Sequence, residues 1–147
     1  MLPTEDYFSP DVAYRELVQE TNSLLALVRD VRFRVLGEGC PAERLVNLHT
    51  KLKRARQFGQ TINAVPGISD YAKTAFNDPN YDLVAEYVAV LDAGDLVTDW
   101  IEQNVPHAGK FYAGFVFDST VERFSRATIQ DTSLVTLLDD LIAAITG

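Results

Sequence analysis

Sulfur and imidazole are scarce in this chain: Cys40 is its one cysteine, and His49 and His107 are its two histidines. A lone cysteine cannot close an internal disulfide, which fits a reducing compartment. Neither histidine belongs to a His-Glu-x-x-His pair, a Glu-x-x-His pair or a Cys/His cluster at ligand spacing, so no metal and no cofactor is expected. Cys40 stands just before Pro41 at a helix start, where the helix dipole lowers a thiol pKa. His49 is nine residues away, about 12 Å along the axis, too far for a nucleophile pair. A buried or capping Cys40 and a surface or capping His49 are the expectations.

Long apolar runs are also missing. The longest clean one, Leu24 to Val28, falls far below the roughly 20 residues of a membrane span. Met1-Leu2-Pro3-Thr4-Glu5-Asp6 has neither the basic nor the apolar region of a secretory leader, so the chain is expected to be made and assembled in the cytoplasm, with no membrane partner. Gly37-Glu38-Gly39 lacks a preceding strand and a Lys-Ser/Thr sequel, so it reads as a turn and not a phosphate loop.

Positive charge is the scarcer sign, with 13 Lys and Arg against 21 Asp and Glu, a net of −8. That balance disfavours a surface that grips nucleic acid as a whole. The charge is segregated: residues 1–28 carry −4, residues 29–56 carry +5 and residues 57–147 carry −9. Arg44, Lys51, Lys53, Arg54 and Arg56 flank an apolar stripe on both sides instead of lining one groove, so nucleic acid stays disfavoured. Asp92, Asp95, Asp99 and Glu102 recur at 3, 4 and 3 beside Trp100, one acidic row on a helix. A dimetal site would need Glu and His partners on facing helices, and these are missing, so the row reads as a solvated or partner face. The sharper expectation is an interface in which the basic end of one subunit meets the acidic end of the next. The blander one is a solvated helix with salt bridges to its neighbours.

What the chain does have is apolar residues at helical spacing. Ser9-Pro10 opens a helix expected to run to Leu36, with Leu17, Thr21, Leu24, Val28, Val31 and Val35 inward. Pro41 opens a second, with Leu45, Leu48, Leu52, Ala55, Gly59 and Ile62 inward until Pro66-Gly67, so residues 10–66 form an αα-hairpin after an arm at 1–9. Residues 69–106 supply a short helix, Ser69 to Phe76, stopped by Asn77-Asp78-Pro79-Asn80. A long helix follows, with Leu83, Tyr87, Val90, Gly94, Val97 and Ile101 inward. The period then changes to two. Phe111, Phe115 and Phe117 belong to a β-hairpin over 110–126 turning near Asp118-Ser119, which needs a helix layer or another subunit to cover it. A closing helix spans 128–146, with Thr128 and Asp131 at capping spacing. The fold class is mainly α: a helical bundle of four main helices with a short helix and one β-hairpin before the last helix, in a single domain 1–147.

The second half carries a family pattern. Tyr71 to Pro79, Tyr81 to Tyr87, the element Asp99-Trp100-Ile101-Glu102-Gln103-Asn104-Val105-Pro106 and the closing Leu137-Leu138-Asp139-Asp140-Leu141-Ile142 resemble small helical proteins encoded among the virion structural genes of tailed bacteriophages and prophages. The Trp-Ile-x-x-Asn-aliphatic-Pro element is the most specific piece, and the resemblance covers about half the chain. It implies a non-enzymatic virion protein at the head-to-tail, neck or tail region, a cyclic homo-oligomer that contacts other virion proteins. It brings no catalytic residues with it. The alternative is a cytoplasmic helical-bundle adaptor or regulator that binds a partner through the basic second helix.

Overall fold

A computed structural model describes residues 9–105 and 128–147. The described residues are mainly helical, with five helices: α1 (Pro10–Leu36), α2 (Ala42–Asn63), α3 (Ile68–Ala75), α4 (Leu83–Asn104) and α5 (Ser133–Thr146). Two short strands, β1 (Cys40–Pro41) and β2 (Thr128–Ile129), pair antiparallel. The β-hairpin expected over 110–126, with Phe111, Phe115 and Phe117, lies outside the described residues, as does His107.

The helix signals operate as their chemistry requires. Ser9 keeps an extended conformation before Pro10, its carbonyl accepting from Ala13 N at 3.0 Å. The proline occupies the first helical position, where no amide hydrogen is needed. The resulting 27-residue rod is about 40 Å long. Gly39, at φ 110°, turns the chain back, a conformation a Cβ would oppose. Asp78 Oδ1 accepts from Asn80 N, and Asp82 Oδ1 caps α4 by accepting from Ala85 N at 3.0 Å, so polar side chains end one helix and begin the next.

Two expected boundaries differ. Pro41 does not open α2 from inside the helix; it sits in β1, paired with Thr128. For the same reason the closing helix starts at Ser133 and not at Thr128: the ladder takes up Thr128 and Ile129, and Asp131 Oδ1 then accepts from Ser133 N at 2.9 Å. Gln130 adds a bond from its side-chain amide to the Gly37 carbonyl at 3.0 Å. The turn after α1 thus anchors the segment that launches α5.

Packing forms two adjoining cores. One joins Leu24, Val28, Val31 and Val35 of α1 to Leu45, Leu48 and Leu52 of α2, Val97 and Ile101 of α4, and Leu134, Leu138 and Leu141 of α5. The other joins Ala13 and Leu17 of α1 to Ile62 of α2, Ile68 and Ala72 of α3, and Leu83 and Tyr87 of α4. The start of α1 shares its core with the end of α2, so the two helices are antiparallel. Cross-contacts from Gly59 to Tyr87 and from His49 to Glu102 make α2 and α4 antiparallel too. Consequently α1 and α4 run parallel. Each packs on α2 and on α5, placing them diagonally across the body, and α3 covers the end that α5 does not reach.

Thr21 and Ala55, expected on the inward faces, are only half-buried. All six inward positions expected on α4 are buried. Two of the paired contacts are large against small. Tyr87 lies over Gly59, where a Cβ would come within 1.9 Å of its ring, and Leu52 lies over Gly94, where a Cβ would meet its terminal methyl at 3.1 Å. Missing side chains on one helix thus seat bulky ones on the other. The Tyr87 hydroxyl donates to the Ala55 carbonyl at 2.8 Å, and burial pushes its pKa up to about 12.

Candidate functional site

The cations of α2 lie on both flanks of its inward stripe, so the fold points them at two neighbours. Toward α4, Arg56 pairs with Asp95 at 3.1 Å and Lys53 approaches Glu102 at 3.7 Å. Toward α1, Arg44 pairs with Asp30 at 3.1 Å and Lys51 reaches Glu20 at 4.0 Å. Charge separated along the sequence is therefore largely rejoined within the folded chain. The participating side chains are mostly two-fifths exposed, where such pairs contribute below about 1 kcal/mol each and act mainly on register. Arg54, Asp92 and Asp99 stay exposed, with no ion pair among the described residues. The structure thus divides the expected interface set into charges already answered within the chain and three that are not.

His49 departs from its expected surface or capping role. It is 2 % exposed, on the inward side of α2, and its Nε2 lies 2.8 Å from Glu102 Oε1. A buried imidazole needs such a partner, because desolvating an unbonded ring nitrogen is costly. The hydrogen bond from His49, helped by the Lys53 ammonium, holds the Glu102 carboxyl below its ordinary value of 4.5. The sequence signal for burial was present: His49 falls four residues after Leu45 and three before Leu52, on the apolar stripe itself. Nearby, Trp100 Nε1 donates to Ser133 Oγ at 3.2 Å, tying the end of α4 to the start of α5.

Cys40 is fully buried, its thiol pushed up to about 11 by desolvation. The neutral thiol is a poor nucleophile. Among the described residues, no group of three or more His, Cys, Asp or Glu side chains is placed to hold a metal ion, and no helix is long and apolar enough to cross a membrane.

The outward surface has two apolar features. A groove of about 370 Å³ runs between α1 and α4 beside the end of α5, floored by Leu17, Tyr87 and Val90. At its rim Phe76 stacks on Tyr81 with ring centroids 4.2 Å apart. The second feature is a set of large side chains on opposite helices: Phe33 is 77 % exposed and Leu36 52 % on α1, while Val84, Val88 and Leu96 are exposed on α4, Leu96 by 53 %. Single exposed apolar residues are ordinary, but grouped ones mark surfaces that meet other surfaces. Comparison of the chain with protein-family models, with curated proteins and with solved structures finds no match.

Proposed function

We propose that this chain is a non-enzymatic virion structural protein of a tailed bacteriophage or prophage, an oligomeric component of the head-to-tail, neck or tail region built as a four-helix bundle. The observation that carries the reading is the grouped apolar exposure on the outward sides of α1 and α4. A body made to contact copies of itself and neighbouring proteins needs such faces on more than one side. The sequence resemblance over Tyr71 to Ile142 supplies the setting. Binding of a polyanion by the basic second helix has less support, because Arg44, Lys51, Lys53 and Arg56 already face acids of the same chain.

The test is mass spectrometry of particles purified from the encoding phage or induced prophage. The chain is expected as a stoichiometric component that resists high-salt washing. Particles that lack it, or that assemble and infect normally after its gene is deleted, overturn the reading.

A further inference from the structure

We propose that the groove between α1 and α4 seats a helical segment of another protein, one that presents aliphatic side chains at i, i+4 and i+7 with a Lys or Arg beside them. Such a partner goes beyond the virion reading, which does not require it.

The seam between α1 and α4 already holds one helix. α5 lies in it, with Leu134, Leu138 and Leu141 in the core that both walls share; Trp100 on one wall donates to Ser133, and Arg32 on the other to Asp139. With 14 residues α5 is about 21 Å long, against about 40 Å for the 27 of α1 and about 33 Å for the 22 of α4. It therefore covers part of the seam, and the 8-residue α3 packs over the far end. The groove is the stretch between them, with Ala144 and Ile145 of α5 at one end and Phe76 and Tyr81, which follow α3, at the other. Its walls run from Tyr14 to Leu25 on α1 and from Leu83 to Val90 on α4, about 16 and 10 Å, or two to three helical turns.

The lining has the character of an uncompleted core. Leu17, Tyr87 and Val90 form the floor. Thr21, which also lines the groove, is the one position of the inward stripe of α1 that is not buried, although Leu17 and Leu24 on either side of it are. On the rim Val18 is 38 % and Phe76 53 % exposed. The volume of about 370 Å³ is in the range of binding pockets. Apolar surface recessed between two helices is stabilised by side chains inserted from a third, and anchors at i, i+4 and i+7 are how a helix fills such a groove.

Charge selects the partner's polar side. Glu86 is the one charged side chain in the lining, with no Lys or Arg beside it. It is exposed and has no ion pair among the described residues, whereas Asp95 and Glu102 further along α4 are answered by Arg56 and Lys53. Its field reaches into the groove: burial first, then Tyr14 and the Glu86 charge, push the Tyr81 hydroxyl above its ordinary value. The rings of Tyr14, Phe76 and Tyr81 on the same lining also favour a cation. A Lys or Arg next to the apolar anchors meets both attractions, and an Asp or Glu there meets repulsion. The chain's own residues 1–8, with Glu5 and Asp6 and no Lys or Arg, lack that chemistry.

The experiment uses the full chain and an acetylated, amidated Leu/Lys peptide of about 15 residues, long enough to form a helix, with a Leu/Glu peptide of the same pattern for comparison. Fluorescence anisotropy measures affinity, nuclear magnetic resonance of the labelled protein locates the site, and circular dichroism checks that each variant keeps its helices. The Leu/Lys peptide is expected to bind one to one, to shift the methyl resonances of Leu17, Thr21 and Val90, and to bind at least about tenfold more tightly than the Leu/Glu peptide. Glu86→Gln is expected to weaken it, and Glu86→Lys to weaken it further, by about tenfold, and to improve binding of the Leu/Glu peptide. Asn22→Trp, which fills the groove from an exposed position, is expected to cost about tenfold as well. Asp92→Lys makes the same charge change outside the groove and is expected to leave affinity within about twofold. No binding at millimolar peptide overturns the proposal, as does equal binding of the two peptides, equal sensitivity to Asp92→Lys and Glu86→Lys, or shifts confined to other faces. Self-association of the chain that Asn22→Trp abolishes would assign the groove to a second copy and discard the partner helix. Groove resonances that the peptide leaves unmoved, in contact with residues 1–8 or 106–127 of the same chain, would discard it too.

Discussion

Glu102 shows how one side chain links two helices by charge. Its carboxylate receives the His49 hydrogen bond and lies beside Lys53, and both hold its pKa below 4.5. A group whose folded pKa is depressed contributes stability above its unfolded value and loses it as pH falls through the folded one. Glu102→Gln keeps an acceptor for His49 and removes the charge. The variant is expected to be less stable than the wild type at neutral pH, with the gap closing as pH drops below the ordinary carboxylate range; urea titrations across that range measure it. Cys40 supplies a second residue-scale test. Fully buried and protonated, it is expected to react with a maleimide at least about a hundredfold more slowly in native protein than in denaturant. Fast native labelling would show that the turn between α1 and α2 opens readily.

Between elements, the α2–α4 contact depends on where side chains are absent. Gly59→Ala drives a Cβ into the Tyr87 ring, which the bond to the Ala55 carbonyl and surrounding packing hold in place. Overpacking of this kind costs about 1–3 kcal/mol. Gly94→Ala meets only a terminal methyl of Leu52 at 3.1 Å. There the roughly 1 kcal/mol gained by replacing a helical glycine offsets much of the crowding. Chemical denaturation is therefore expected to rank Gly59→Ala well below Gly94→Ala, even though both glycines are buried on the same contact. Equal losses would mean that Tyr87 moves aside as easily as Leu52.

Across the whole molecule, α1, α2 and α4 each pass through both cores, so neither core can melt without fraying helices that the other needs. Unfolding is expected to be a single transition, with near-ultraviolet and far-ultraviolet circular dichroism coincident. Leu138→Ala, at a site with no exposure in the first core, should lower stability by about 2–5 kcal/mol without splitting that transition. Two separated transitions would show that the α3 end and the α5 end fold independently.

The helical class, the extent of α1 from Pro10 to Leu36 and the inward face of α4 were legible in the sequence, because they depend on local terms: capping, proline placement and a 3.6-residue period. The start of α5 was not, since a pairing between Thr128 and Pro41, distant in the chain, overrides the local capping signal. Charge shows the same division. The sequence by itself determined a negative start, a positive middle and a more negative remainder. Only the tertiary structure decided which of those charges face one another, setting Arg56 against Asp95 and Lys53 against Glu102 while Arg29, Asp92 and Asp99 stay outward. Helix periodicity is encoded within a few residues, whereas the partner of a side chain depends on the packing of helices far apart in the chain.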